Sequence, residues 1–144
     1  MKSSCAYLLA AVALFGCASS RTYFTDAQVI GPYTPAVKVG DFIYVSGQIA
    51  MKPGTSELAA DEIESQTRQV FENIKAILSK AGYALSDVIQ CTVYLKDMND
   101  YAKMNQIYGS YFTQGRFPTR TTVEVSNLPR NARIEITAVA CKAH

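Results

Sequence analysis

Residues 134–142 constrain the fold of this chain more than any other segment. Their sequence, IEITAVACK, has apolar residues in both of its alternating sets: Ile134, Ile136, Ala138 and Ala140 in one, and Val139 and Cys141 in the other. A strand built from this segment therefore presents apolar side chains on both faces of a sheet. Helices can cover one of those faces, and the other face then needs a partner. The segment predicts a strand whose second face is buried by self-association of the protein.

The first half of the chain predicts a hairpin followed by a long helix. Residues 36–39 and 42–46 are rich in β-formers and are separated by Gly40-Asp41, a two-residue hairpin signal. Asp61 and Glu64 have the spacing of a capping box, and apolar residues then recur at helical spacing up to residue 81, before Gly82. We expect two paired strands and one amphipathic helix.

The second half predicts a strand, a helix and two further strands. Residues 88–96 alternate between apolar and polar side chains, residues 99–112 fit a helix, and residues 121–126 precede the last strand. One stripe of the second helix contains Tyr101, Met104, Tyr108 and Tyr111. The order ββαβαββ predicts an α+β sandwich in which one mixed sheet carries two helices on one face.

Composition excludes several classes of function. The chain has 144 residues, enough for one domain, and its net charge of +2 gives no reason to expect a nucleic-acid partner. Its single histidine is the terminal residue, His144, so catalytic sites and zinc sites that depend on histidine are not expected. The four cysteines have no metal-site spacing. We therefore expect neither a metal nor another cofactor.

The N-terminus has the pattern of an export signal. After Lys2, an apolar run at 5–15 is too short to span a membrane, and residues 14–17 (LFGC) resemble a bacterial lipobox. We expect residues 1–16 to be a signal peptide removed before Cys17, residues 17–22 a short anchor linker, and residues 23–144 the folded domain. The protein would be exported and held at the membrane through lipidated Cys17, on the periplasmic side in a Gram-negative cell. An unprocessed extension on a cytoplasmic protein is the alternative.

Export would place Cys91 and Cys141 in a compartment that permits disulfides. Both cysteines fall in predicted strands. Free cysteine is commonly buried in protein cores, and this state is the expected one. The sequence leaves a disulfide between them open.

Four blocks of sequence carry a family resemblance: IGPYTPAVKVG (30–40), FIYVSGQI (42–49), YLKDMNDYAKMNQIY (94–108) and PTRTTVEVSNLPRNARIEITAVA (118–140). With these motifs the chain resembles the RidA family, also called YjgF/YER057c/UK114, from about Gln28 to Ala140. The resemblance implies a chorismate-mutase-like fold and a homotrimer with clefts between subunits. It also implies hydrolysis of 2-imino acids such as 2-iminobutanoate and 2-iminopropanoate.

Two charged residues are the main candidates for the site. Arg120 at the start of one strand and Glu135 in the next can face one cleft, and a guanidinium can bind a carboxylate through two parallel hydrogen bonds. By resemblance, Arg120 is the substrate-binding arginine and Glu135 the acid that positions and activates water. Further positions that match the family's pocket are Tyr33, Ser46, Asn105 and Thr122, the last through its backbone groups. Tyr33, Ser46 and Asn105 also have ordinary structural interpretations, in a turn, at a strand end and on a helix surface.

Two departures from the family's pattern, Thr121 and Thr137, leave the substrate range open. The predicted function is a deaminase that hydrolyses 2-imino acids or enamines to 2-oxo acids and ammonia. A membrane-anchored module that binds small carboxylates without turnover is the alternative. Endoribonuclease action has neither an internal histidine nor a basic patch to support it.

Overall fold

The computed structural model of the protein describes residues 20–142. The predicted signal peptide, residues 1–16, and the predicted lipidation site, Cys17, lie outside the described residues. The predicted linker, 17–22, overlaps the first strand, which begins at Arg21. Its last two residues are therefore part of the sheet.

One mixed sheet of six strands forms the body of the protein. The strands are β1 (Arg21–Phe24), β2 (Ala36–Val39), β3 (Phe42–Ile49), β4 (Val88–Leu95), β5 (Thr119–Glu124) and β6 (Ile134–Cys141). Their order across the sheet is β1-β2-β3-β6-β4-β5, with β4 and β5 parallel and the other neighbours antiparallel. The predicted ββαβαββ order is confirmed, and the last strand lies in the interior of the sheet. Only the short edge strand β1, most of it exposed, was missed.

The hairpin signal was correct. Val39 pairs with Phe42, so Gly40 and Asp41 alone form the turn between β2 and β3. Gly40 has a φ of 58°, a left-handed conformation that costs glycine little because it has no Cβ atom. The hairpin sets the register of β3, the strand that carries Ser46 and Gly47.

Two helices cover one face of the sheet: α1 (Ile63–Lys80) and α2 (Tyr101–Ser110). Short 3-10 helices lie at Leu85–Asp87, Met98–Asp100 and Pro129–Asn131. The predicted capping box at the start of α1 is wrong, because the N-cap residue is Glu62 and it makes no side-chain cap bond. Asp61 instead lies with its Oδ1 3.6 Å from Nη1 of Arg133.

The core lies between the helices and the sheet. Ile43 of β3, Val93 of β4 and Ile136 of β6 are fully buried on this face. Phe71 of α1 is also fully buried, and its ring stacks on Tyr111 with a centroid distance of 4.5 Å. Removing water from this much apolar surface is the main force that holds both helices on the sheet.

The opposite face of the sheet carries exposed apolar side chains. Cross-strand pairing aligns Tyr23, Val37, Tyr44 and Val139 in one row across four strands. Tyr23 is 57% exposed and Tyr44 is 51% exposed. We call the face of the sheet that carries this row the open face. Other exposed apolar residues of the chain include Phe42, Ile89 and Val123.

The start of β6 is anchored to α1 and to the 3-10 helix that precedes α2. The backbone N–H of Arg133 donates to Oε1 of buried Gln66 at 2.8 Å. Its guanidinium forms two hydrogen bonds with Asp100, from Nε to Oδ2 at 2.9 Å and from Nη2 to Oδ1 at 3.0 Å. The bond to Asp100 is also the main reason why the pKa of Arg133 is raised. These contacts fix the strand two residues before Glu135.

Both cysteines within the described residues are free thiols. Cys91 is buried in the core, and Cys141 at the end of β6 is partly buried. The expectation of a free core thiol is therefore confirmed for Cys91. Burial raises the pKa of its thiol, which keeps it protonated at neutral pH.

Candidate active site

Arg120 is the second residue of β5, the edge strand of the sheet. It lies in register with Cys91 of β4, which in turn pairs with Ala138 of β6. Both neighbours are buried in the core beneath the helices. Because paired residues on neighbouring strands share a face, Arg120 lies on the helix-covered side of the sheet.

Two tyrosines of α2 hold the guanidinium of Arg120. Its Nη2 donates a hydrogen bond to the hydroxyl oxygen of Tyr101 at 3.2 Å. Its Cζ lies 4.5 Å from the centroid of the Tyr108 ring and 5.7 Å from that of Tyr101, within the range of cation–π attraction. Arg120 is half-buried, yet no carboxylate among residues 20–142 forms an ion pair with it. The guanidinium is thus oriented and free to bind an anion.

Three buried polar atoms on the same side of the sheet have no hydrogen-bond partner in the described part of the chain. They are Oδ1 of Asn105, the hydroxyl of Tyr108 and Oγ1 of Thr122. An unsatisfied buried polar atom costs about 1–3 kcal/mol, so a cluster of them indicates where a water or a ligand would bind. Burial, and then the neighbouring Cys91 thiol, raise the pKa of Tyr108 and keep its hydroxyl protonated. We call Tyr101, Asn105, Tyr108, Arg120 and Thr122 the Arg120 half-site.

A second group of candidate residues meets on the other side of the sheet. Tyr33, Ser46, Gly47 and Glu135 line a cavity of about 190 Å³ beside the Pro129–Asn131 turn. This cavity brings together three residues that the sequence analysis singled out from separate parts of the chain. We call these four residues the Glu135 half-site.

The carboxylate of Glu135 occupies the space that a side chain at Gly47 would fill. A Cβ atom at Gly47 would lie 1.8 Å from Oε1 of Glu135 and 2.8 Å from its Cδ. Glu135 is half-buried and has neither an ion pair nor a hydrogen bond to another residue within 20–142. Burial raises its pKa, because desolvation disfavours the charged form. A carboxyl group in this state is suited to exchange protons with a substrate or a water molecule.

Local backbone geometry presents Ser46 and Gly47 to the cavity. The pairing of β3 with β6 shifts register between Val45 and Gln48, which is a β-bulge, and such bulges redirect side chains next to functional sites. The Ser46 hydroxyl donates to the carbonyl of Thr34 at 2.7 Å. This bond ties the bulge to the loop that carries Tyr33. The Tyr33 side chain is 42% exposed at the rim.

The two half-sites do not form one cleft within a single chain. The expectation that Arg120 and Glu135 lie on neighbouring strands is wrong, because β4 separates β5 from β6. Two interstrand spacings of about 5 Å, and three residues along the strands, separate their positions in the sheet. Their side chains also lie on opposite faces. A small ligand therefore cannot contact Arg120 and Glu135 of the same chain.

Sequence reasoning missed three residues of the half-sites. Tyr101 and Tyr108 were recognised only as part of an apolar stripe on the second helix, although that stripe faces Arg120. Asn105 follows Tyr101 by four residues. On the side of α2 that faces Arg120, it is the residue that the sequence analysis predicted to lie in the pocket. Gly47 has no local sequence signal for its role, since the close approach of Glu135 depends on pairing between distant strands. Helical spacing from Asn105 would have found the tyrosines.

The two half-sites present polar side chains that can form hydrogen bonds and transfer protons. Among residues 20–142, no group of three or more histidine, cysteine, aspartate and glutamate side chains is arranged to hold a metal ion. The half-sites instead offer a guanidinium, a carboxyl group, hydroxyls and an amide. Such a set can bind a small carboxylate and transfer protons.

Together, the mixed sheet, the paired helices and the two half-sites define a small α+β protein whose polar pockets are suited to a small ligand. The model of the family described as Endoribonuclease L-PSP matches residues 24–142. The chain belongs to this family, which is the RidA/YjgF family that its motifs resemble.

Individual relatives agree with this assignment. A RutC family protein of Pyrococcus horikoshii is 57% identical over 113 residues, which is 78% of this chain and 89% of the relative. The 2-iminobutanoate/2-iminopropanoate deaminase of Escherichia coli K12 is 44% identical over 127 residues, 85% of this chain and 98% of the relative. The crystal structure of the E. coli YjgF gene product superposes with a TM-score of 0.76 at 40% identity, covering 83% of this chain and 98% of that one. The family and its fold, predicted from sequence, are confirmed.

The same relatives correct the predicted location. Export and lipid anchoring at the membrane are wrong for a protein of this kind, because the match to the folded domain fills 89% and 98% of the lengths of these two relatives. No helix among residues 20–142 is long and apolar enough to cross a membrane.

Proposed function

We propose that the protein hydrolyses 2-imino acids, such as 2-iminobutanoate and 2-iminopropanoate, to 2-oxo acids and ammonia. The observation that carries this proposal is the half-buried guanidinium of Arg120, which two tyrosines orient and no carboxylate neutralises. A guanidinium in that state binds a planar carboxylate through two parallel hydrogen bonds. The 44% identity to a deaminase of this name supports the same substrate class.

Two copies of the chain would complete each site, as in a homotrimer with clefts between subunits. The separation of the half-sites within one chain supports this arrangement. The open face supports it independently, because Tyr23 and Tyr44 are more than half exposed and apolar surface of this kind usually marks an interface. In this assembly the Arg120 half-site of one copy faces the Glu135 half-site of the next.

The proposed reaction needs only proton transfers. Arg120 binds the substrate carboxylate and places C2 of the imine near Glu135. The imine reacts in its protonated form: Glu135 takes a proton from water as the water oxygen bonds to C2, and the electron pair of the C=N bond moves to nitrogen, which leaves a neutral carbinolamine. Glu135 then gives this proton to the nitrogen. As the C–N bond breaks, Glu135 takes the proton of the new hydroxyl group, so that ammonia and the 2-oxo acid form, and the released ammonia carries that proton away as ammonium. Acid–base assistance of this kind contributes roughly 10²–10⁴-fold.

Turnover of 2-iminobutanoate generated in solution tests the proposal. We expect the full chain to release ammonia and 2-oxobutyrate faster than the spontaneous reaction, and we expect Arg120→Ala and Glu135→Ala to abolish the acceleration. Arg120→Lys should also impair it, since lysine keeps the charge and loses the forked geometry. Arg116→Ala, which removes an exposed arginine four residues away, is the matched control. A folded protein that binds 2-oxobutyrate without any acceleration would be a carboxylate-binding module instead.

Mixing the two inactive variants tests the shared site. Trimers assembled from Arg120→Ala and Glu135→Ala chains contain some clefts in which both half-sites are intact, about one quarter at equal random mixing. Activity that returns after the variants are unfolded and refolded together supports a site between copies. Continued inactivity of correctly assembled mixed trimers contradicts it.

The endoribonuclease description attached to the family names a second activity. A putative endoribonuclease from Thermotoga maritima is also a structural neighbour, with a TM-score of 0.80 at 42% identity and coverage of 85% of this chain and 99% of that one. Assays of RNA cleavage by the natural protein and by the Arg120→Ala variant would separate nuclease activity from imine hydrolysis. Cleavage that survives Arg120→Ala does not come from the site described above.

A further inference from the structure

Tyr101 is the first residue of α2, and its hydroxyl lies at the solvent-accessible edge of the Arg120 half-site. Tyr101 is 38% exposed, whereas Tyr108, two turns further along the same stripe of α2, is only 4% exposed. The Tyr101 oxygen accepts a hydrogen bond from Nη2 of Arg120 at 3.2 Å. A ligand bound to the free edge of the guanidinium would therefore come close to the Tyr101 hydroxyl.

The hydrogen-bonding capacity of Tyr101 is only partly used. A phenol has one proton to donate and can also accept hydrogen bonds, whereas a guanidinium can only donate. The contact with Arg120 therefore uses the phenol oxygen as an acceptor and leaves its proton free. The Asn105 side chain, whose hydrogen bond lowers the pKa of Tyr101, also approaches the phenol oxygen as a donor.

We propose that Tyr101 is a further substrate-binding residue, whose hydroxyl donates a hydrogen bond to the carboxylate that Arg120 binds. This inference rests on the proposed function and extends it to a residue that neither the motif resemblance nor the charge pattern indicated. Nη2 carries two hydrogens, one directed to Tyr101 and one available to the ligand. A carboxylate oxygen held by the second hydrogen lies beside the phenol, so the guanidinium and the phenol bind it as one unit.

The surroundings of Tyr101 favour the donor role. A hydrogen bond from the Asn105 side chain, and then the charge of Arg120, lower the pKa of Tyr101. A more acidic phenol is a stronger hydrogen-bond donor, provided that it stays protonated. The other titratable groups that face this region are Tyr108 on α2 and Cys91 on β4, and burial raises the pKa of both. Ionisation of Tyr101 would remove the donor and place a negative charge beside the substrate carboxylate.

Replacement of Tyr101 by phenylalanine isolates the hydroxyl, because the ring that contacts Arg120 is retained. The binding of 2-oxobutyrate is measured by calorimetry from neutral to alkaline pH, together with the KM and kcat for 2-iminobutanoate. We expect Tyr101→Phe to weaken 2-oxobutyrate binding and raise KM roughly tenfold at neutral pH, while kcat changes little. The loss of binding on the alkaline side should begin at higher pH in the variant than in the natural protein.

Tyr111→Phe is the matched control. Its hydroxyl bonds to the carbonyl of Arg68 and to Oε1 of Glu72, away from Arg120, so its removal should leave binding unchanged. Equal binding and an identical alkaline limb in Tyr101→Phe and the natural protein would overturn the inference, while turnover by the natural protein would keep the proposed function. A natural protein that neither binds 2-oxobutyrate nor accelerates hydrolysis would overturn both. Thermal unfolding of each variant confirms that it is folded.

Discussion

Gly47 and Glu135 are matched across two strands of the sheet, and the glutamate carboxylate fills the space that any side chain at position 47 would need. The relationship depends on the bulge in β3 as well as on the absence of a Cβ atom. It places the carboxyl group at the mouth of the cavity shared with Ser46 and Tyr33. The glycine therefore acts on the site by leaving room for the acid.

Gly47→Ala should inactivate the protein with little loss of stability. The new Cβ atom would lie 1.8 Å from Oε1 of Glu135, and the flexible carboxylate would rotate away from the cavity. We expect turnover of 2-iminobutanoate to fall by about 10²-fold or more, since acid–base assistance is lost. Gly109→Ala in α2, where a Cβ atom meets nothing within 4 Å, is the control and should be neutral or slightly stabilising. Full activity of Gly47→Ala would contradict the role given to Glu135.

Glu135→Gln should lose activity and gain stability at neutral pH. Burial raises the pKa of Glu135 in the folded state, so its contribution to stability is present below the pKa of the unfolded chain and is lost as pH rises through the folded value. At pH 7 the charged form is therefore a cost that glutamine removes. Urea unfolding should show a higher midpoint for the variant at pH 7 and no difference in acid. Glu57→Gln, an exposed site, should change neither property. A lower midpoint at pH 7 would show that the charge is stabilised.

Tyr44→Glu should dissociate the oligomer and abolish turnover. Tyr44 lies in the middle of the open face, between Val37 and Val139, and a charge buried there against another copy has no partner. Light scattering should show a smaller species than the natural protein. Ser79 is an exposed position of α1, away from the open face. Ser79→Glu adds the same charge there and should leave the assembly intact. A fully active monomer would refute a site shared between copies.

Asp100→Asn should destabilise the protein by about 1–3 kcal/mol, because it weakens two charge-assisted hydrogen bonds to Arg133. The estimate lies below that for a fully buried ion pair, since the Arg133 side chain is 31% exposed. Asp61→Asn is the control, because that carboxylate is 84% exposed and lies 3.6 Å from the same guanidinium. Chemical denaturation should separate the two variants clearly. Equal stability would show that Asp100 does not anchor β6.

The elements of the fold were largely predictable because they depend on local patterns. The alternation in residues 88–96 gave β4, the Gly40-Asp41 pair gave the hairpin, and the apolar spacing before Gly82 gave α1. The strand β1 was missed because its four residues are mostly exposed and carry no clear apolar alternation. The capping-box prediction failed because the N-cap residue of α1 is Glu62, one residue after Asp61, and its side chain makes no cap bond.

The sequence by itself determined the order of the elements, the family and the polar residues available for chemistry, since side-chain type and periodicity are local properties of the chain. Only the tertiary structure decided how those residues are grouped. It inserted β4 between the strands of Arg120 and Glu135, directed them to opposite faces, and placed Tyr101 and Tyr108 around the guanidinium. Strand order and register join residues far apart in the chain, and the free energy of the whole packed core selects them.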